Sequence, residues 1–192
     1  MYNSIYTFDS VDISIDTSNQ LIVVCDIDNT ILYMNTFKTY AYYYKLLKHV
    51  FPYKSEELIY ADASHLFYEN KRKSYEQMPI STDIHGFKRL LERIQLEKGK
   101  IIYLTARNIT SADITKKQFQ EIGLIYDTNN TYYTNNTIHK GDYLNEILEI
   151  DNIQPIIFID DLDENLMNML HTYPNSKCYK FIYQPNEIHT PK

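Results

Sequence analysis

Asp26 and Asp28 stand one residue apart in VVCDIDNTIL (23–32), where an apolar run that reads as a buried strand ends in acid. Along an extended chain, residues i and i+2 point to the same side, so both carboxylates can reach one substrate atom. One could attack as a nucleophile while the other moves a proton. A second acidic pair, Asp160 and Asp161, closes the apolar run PIIFIDD (155–161). Thr105 closes IIYLT, and Lys140 opens a helical segment. Carboxylates gathered at one place repel unless something positive stands among them. A hard divalent cation with oxygen ligands, Mg²⁺ above all, meets that need, and Lys140 adds further positive charge.

These residues need a scaffold that brings four chain segments to one rim. LIVVCDI (21–27), KIIYLTA (100–106), PIIFIDD (155–161) and KCYKFIY (177–183) are short apolar runs rich in β-branched residues, and NTYYTNN (130–136) is a weaker one. Between them lie segments of helical spacing at 86–98, 111–123, 140–150 and 163–173. Strands alternating with helices predict a parallel sheet covered on both faces, a Rossmann-like α/β fold. In such sheets ligands bind beyond the carboxyl ends of the strands, where these acids fall. Residues 33–78 break the alternation. TFKTYAYYYKLLKHVF and SEELIYADASHLFYENKR read as two helices parted near Pro52, a small helical cap inserted after the first strand of the alternation. The α/β core is then 1–32 with 79–192. Tyr40, Tyr42, Tyr43, Tyr44 and Tyr60 are expected to pack the two inserted helices against the core; the other reading has them lining a substrate pocket.

Composition narrows the function classes. The chain has 192 residues, 44% of them apolar and 14% aromatic, enough for one domain with a sizeable core. A net charge of −6 argues against broad attraction to nucleic acid or an anionic membrane, while leaving a polynucleotide end among the candidate substrates. No segment approaches a membrane span of about 20 apolar residues, and no secretory signal opens the chain. Cys25 and Cys178 lie in apolar runs and read as buried, reduced thiols. A cytoplasmic location is the expectation. Gly86, Gly99, Gly123 and Gly141 form neither a dinucleotide fingerprint nor a P-loop.

DIDNT, LTAR, Lys140 in HKGD, and IDDLDEN occur in the order of the four motifs of the haloacid dehalogenase (HAD) superfamily, which the chain resembles from about residue 20 to 183. Asp26 and Thr105 are 79 residues apart (105 − 26), Thr105 and Lys140 are 35 (140 − 105), and Lys140 and Asp160 are 20 (160 − 140). YTNN…KGDYL followed by FIDDLDEN looks most like an uncharacterised HAD-like group. The resemblance implies a phosphatase that works through an aspartyl-phosphate on a small phosphorylated substrate. Asp26 would be the nucleophile and Asp28 the general acid and base. Thr105, Ala106 and Lys140 would bind the phosphoryl group. The Asp26 carboxylate, the Asp28 main-chain carbonyl and Asp160 would hold Mg²⁺, with Asp161 behind them or reaching the metal through water.

The remaining polar residues have plainer readings. Arg107 would touch substrate phosphate or form a surface salt bridge. Asp163 and Asn165 read as the cap and first turn of a helix. His85, His139 and His171 lack ligand spacing. A response-regulator receiver also gathers acids, a Thr and a Lys, but its phosphorylated Asp stands between its acidic pair and the Thr, and no such acid precedes Thr105. A HAD fold kept as a silent binding or regulatory module is the other alternative.

Overall fold

A computed structural model describes residues 1–15, 20–33, 40–75, 80–151 and 154–184. The strands are β1 (Asn3–Ile5), β2 (Ile22–Cys25), β3 (Leu32–Tyr33), β4 (Ile80–Ser81), β5 (Lys100–Thr105), β6 (Thr131–Tyr133), β7 (Ile156–Asp160) and β8 (Lys177–Phe181). The helices are α1 (Tyr40–Val50), α2 (Glu56–Tyr75), α3 (Ile84–Leu96), α4 (Ala112–Glu121), α5 (Lys140–Glu146) and α6 (Asp163–Thr172). Six strands form one parallel sheet in the order β1-β8-β7-β2-β5-β6.

The continuous apolar character of the central strands has a direct cause: both sheet faces are covered. Val23, Cys25, Ile157 and Ile159 point to one side and pack with Phe87, Leu90 and Ile94 of α3 and Phe119 of α4. Ile22, Val24, Ile156 and Phe158 point to the other and pack with Leu144 of α5 and Leu166 and Met169 of α6. Alternate side chains thus feed two cores, as the period of two requires. The fold is the Rossmann-like α/β arrangement expected from the alternation of strands and helices. Cys25 and Cys178 are buried and free. Among the described residues no helix is long and apolar enough to cross a membrane.

β1 was not legible beforehand. It is only three residues long and finds its place by pairing with β8, Ile5 beside Phe181. The helical segments hold within a few residues. The 111–123 segment does stop at Gly123, whose positive φ of 71° ends α4 at little steric cost.

The chain divides into two compact units: Met1–Tyr33 with Ser81–Lys192, and Met34–Ile80. Within the first, Thr82 donates its N–H to the Ile31 carbonyl at 3.1 Å, so the points where the chain leaves and returns are neighbours. Within the second, Tyr43 and Leu47 of α1 bury against Ile59 and Ala63 of α2, joined by Tyr40, Tyr44, Leu66 and Phe67. The Tyr44 and Tyr60 rings lie 4.8 Å apart and those of Tyr40 and Tyr60 6.3 Å, so these tyrosines pack the two helices on each other. Tyr42 is half exposed and meets Tyr43 edge-on. The start of the first inserted helix as read from sequence, residues 36–39, lies outside the described residues, as do 76–79 at the far end of the insertion.

Candidate active site

Register explains how the acids meet. Cys25 of β2 is level with Ile159 of β7 and Tyr103 of β5. One residue further along, the Asp26 N–H donates to the Ile159 carbonyl at 2.9 Å, which sets Asp26 beside Asp160, the last residue of β7. Thr105 is the last residue of β5, and Lys140 is the first of α5. Asp26, Thr105, Lys140 and Asp160 are all buried, Asp160 completely.

Lys140 ties the two carboxylates together. Its ammonium bonds to Asp26 Oδ1 and, at 2.6 Å, to Asp160 Oδ2. Asp160 is held from its other side: Asn165 Nδ2 lies 3.0 Å from both of its oxygens, and the Leu162 N–H donates to Oδ1 at 2.9 Å. The Thr30 hydroxyl donates to Asp26 Oδ2 at 3.3 Å. Lys140 reaches this position because Gly141 lets α5 approach α6. A Cβ there would stand 2.7 Å from Asn168 Oδ1, and the Gly141 N–H instead donates to that oxygen at 2.8 Å.

The charges do not balance. Asp26, Asp160 and Asp161 each offer an oxygen, and the three oxygens lie within 4.8 Å of one another. Burial raises Asp26 well above the ordinary carboxylate range, and Asp160, Asp161 and Asp28 push it the same way against the pull of Lys140. Asp161 is pushed up to about 7, first by burial and then by Asp160, while Lys140 and a hydrogen bond from Asn29 oppose the rise. Burial works against the charge on Lys140, but Asp160 and Asp26 outweigh it and hold the ammonium protonated. Three oxygens from hard carboxylates, gathered around a single ammonium, are a donor set that fits a divalent cation such as Mg²⁺.

Asp28 lies apart from that cluster. Its carboxylate meets Arg107: Nη2 is 2.7 Å from Oδ1, and Nε is 3.0 Å from Oδ2. The Arg107 side chain is completely buried, so the surface salt-bridge reading does not hold; its fork meets Asp28 from inside the protein. Ala106 occupies the turn between Thr105 and Arg107, and the Thr105 hydroxyl accepts the Arg107 N–H at 3.2 Å. Asn165 is more than a first-turn residue, since it donates to Asp160. Asp163 begins α6 and pairs with Lys180 at 2.7 Å and with the Tyr2 hydroxyl. His139 is the N-cap residue of α5.

Sequence reasoning gave no role to Thr30 and only a helix-start role to Asn165. The i+4 spacing of Thr30 from Asp26 was a usable signal. Asn165 carried none beyond its nearness to Asp160, because its side chain was equally suited to a helix start.

The fold is that of the HAD-like hydrolases. A haloacid dehalogenase-like family hydrolase from Xanthomonas campestris superposes with a TM-score of 0.54 at 12% identity, over 91% of this chain and 88% of that one. A candidate beta-phosphoglucomutase from Thermotoga maritima gives 0.51 at 12% identity, over 88% and 89%. By sequence, residues 5–137 match the model of a protein family of unknown function, DUF2608, and the chain belongs to that family. No protein with a curated description matches it.

Proposed function

We propose that this protein is a Mg²⁺-dependent phosphatase that hydrolyses a phosphomonoester through an aspartyl-phosphate on Asp26. The observation that carries the reading is the buried Lys140 bridging Asp26 and Asp160, with Asp161 beside them, at the carboxyl ends of adjacent central strands. Burying that much like charge is costly unless a cation completes the site.

The Asp26 carboxylate, the Asp28 main-chain carbonyl and Asp160 would hold Mg²⁺, with Asp161 in the same cluster. When bound, the ion would offset phosphate charge and hold the ester in place. Asp26 forms a bond to phosphorus as the ester bond breaks, and the leaving oxygen takes the electron pair and a proton from Asp28. Asp28, now a carboxylate, then takes a proton from water as the water oxygen bonds to phosphorus. The Asp26–phosphorus bond breaks, and inorganic phosphate and the Asp26 carboxylate result. Lys140 steadies the phosphoryl oxygens. Thr105 can still donate its own O–H to them while it accepts from Arg107. The helical insertion would choose the substrate.

The test is mass spectrometry of acid-quenched protein after incubation with Mg²⁺ and para-nitrophenyl phosphate. A phosphate adduct is expected on the peptide containing Asp26 and is expected to be absent in Asp26→Asn. In Asp28→Asn the adduct should form and persist, with turnover down by roughly 10²–10⁴-fold. Equal loss of adduct in both variants would refute separate roles for the two acids.

A further inference from the structure

Arg107 is held from every side that the surrounding elements offer. Its N–H donates to the Thr105 hydroxyl, and its carbonyl accepts the Asn135 N–H at 3.2 Å, which pins the backbone just past β5. Its Nη1 donates to Thr115 Oγ1 and to Gln118 Oε1, both at 2.8 Å and both on α4. Thr115 is itself anchored, donating to the Ser111 carbonyl at 2.9 Å. The remaining edge of the guanidinium forms the forked contact with Asp28, a residue 79 positions earlier whose side chain keeps 26% of its surface exposed.

Such a contact is an expensive way to fill space. Burying a guanidinium costs several kcal/mol in lost solvation, and apolar residues of like volume often stabilise as well or better. What a planar fork supplies that an apolar side chain cannot is direction: two parallel N–H bonds set the plane and position of a carboxylate. Asp28 follows β2 in a turn where Asn29 has a positive φ of 59°, and its backbone forms an isolated bridge with Leu32, so the fork of Arg107 acts on the side chain where the bridge acts on the backbone.

We propose that Arg107 is the positioning residue for Asp28, carrying the rigidity of α4 to the group that activates water. This rests on the phosphatase reading above. It makes the segment β5–Arg107–α4 part of the catalytic apparatus, with Arg107 acting through Asp28. A displacement of about 1 Å in a catalytic group can cost on the order of 10²-fold in rate.

The experiment is a double-variant cycle between Arg107→Lys and Asp28→Asn, with para-nitrophenyl phosphate and acetyl phosphate as probes in the presence of Mg²⁺. Release of nitrophenol reports phosphorylation of Asp26, and quenched mass spectrometry reports decay of the aspartyl-phosphate. With Asp28 present, Arg107→Lys should slow decay by roughly 10²-fold and leave KM unchanged. In the Asp28→Asn background the same substitution should slow decay no further, because the group it positions is already gone. Equal fractional losses in both backgrounds would mean a merely structural role and overturn the proposal. So would wild-type decay in Arg107→Lys, or a raised KM with unchanged decay, which would instead put Arg107 on the substrate. If near-ultraviolet circular dichroism shows Arg107→Lys unfolded, Thr115→Val with Gln118→Leu removes the supports behind the guanidinium. That pair should slow decay only when Asp28 is present, and an equal loss in both backgrounds overturns the proposal. Wild-type protein that forms no adduct and releases no product from either probe would overturn the phosphatase reading, and this proposal with it.

Discussion

The sheet unit and the helical unit treat charge in opposite ways. At the strand ends of the sheet unit, Asp26, Asp160, Lys140 and Arg107 are all buried, and each is bonded to a residue far away in sequence. Among the described residues of Met34–Ile80 the ion pairs keep part of their surface in solvent and join near neighbours: Lys48 with Glu56 at 2.6 Å, and Lys54 with Asp62. The helical unit coheres through Tyr43, Leu47, Ile59 and Ala63. Desolvated charge marks where a protein accepts a cost for chemistry, whereas solvated pairs add little.

The largest test of this contrast is Lys140→Met. It would strand Asp26 and Asp160 as buried like charges, and the expected loss is roughly 3–5 kcal/mol, with activity abolished. Urea denaturation in EDTA measures it, and a loss no greater than that of a surface variant would undo the comparison.

Asp160→Ala comes next. Lys140, Asn165 and the Leu162 N–H all donate to Asp160. Leaving buried donors without an acceptor should cost about 1–3 kcal/mol, read from the same denaturation curves, and Mg²⁺ dependence should be lost.

Asp161→Asn should have the opposite sign. An ordinary aspartate ionises near pH 4 in the unfolded chain, but in the fold Asp161 keeps its proton until about pH 7. The folded state therefore binds more protons across that window, and metal-free stability falls as pH rises from about 4 to about 7. The asparagine variant should lose that slope and, in EDTA above pH 7, melt higher than wild type. Mg²⁺ should narrow the difference by stabilising the wild-type protein. Thermal melts across pH, with and without the ion, provide the check.

Two smaller effects belong to the helical unit. Replacing residues 34–80 with a short linker should leave a folded sheet, since Ile31 and Thr82 already meet, and should reduce activity on para-nitrophenyl phosphate less than activity on the natural substrate. An insoluble product would mean the helices are needed for the core. Lys48→Ala, at an exposed pair, should leave the melting temperature where it is.

Much of the site was legible because its members sit at the ends of strands, and strand ends are written locally. An apolar run of four to six residues that stops at an acid or a threonine places Asp26, Thr105 and Asp160 without knowledge of their neighbours. Lys140 is placed in the same way by the helix it opens. Arg107 and Asn165 were read too plainly for the converse reason. Each has a side chain at home on a surface or at a helix start, and what decides its role is a partner elsewhere.

The sequence by itself determined the kinds of element, their alternation, the rim on which the acids lie and the helical character of the insertion. Those features depend on periodicity and composition within a dozen residues. The tertiary structure alone decided that β1 pairs with β8, that Asp161 lies close enough to Asp26 and Asp160 for three oxygens to converge, and that Arg107 turns inward to Asp28. Each of these rests on sheet register and helix packing between segments that are distant in the chain. A change of one residue in register would move every side chain of a strand to the other face while leaving its local pattern unaltered.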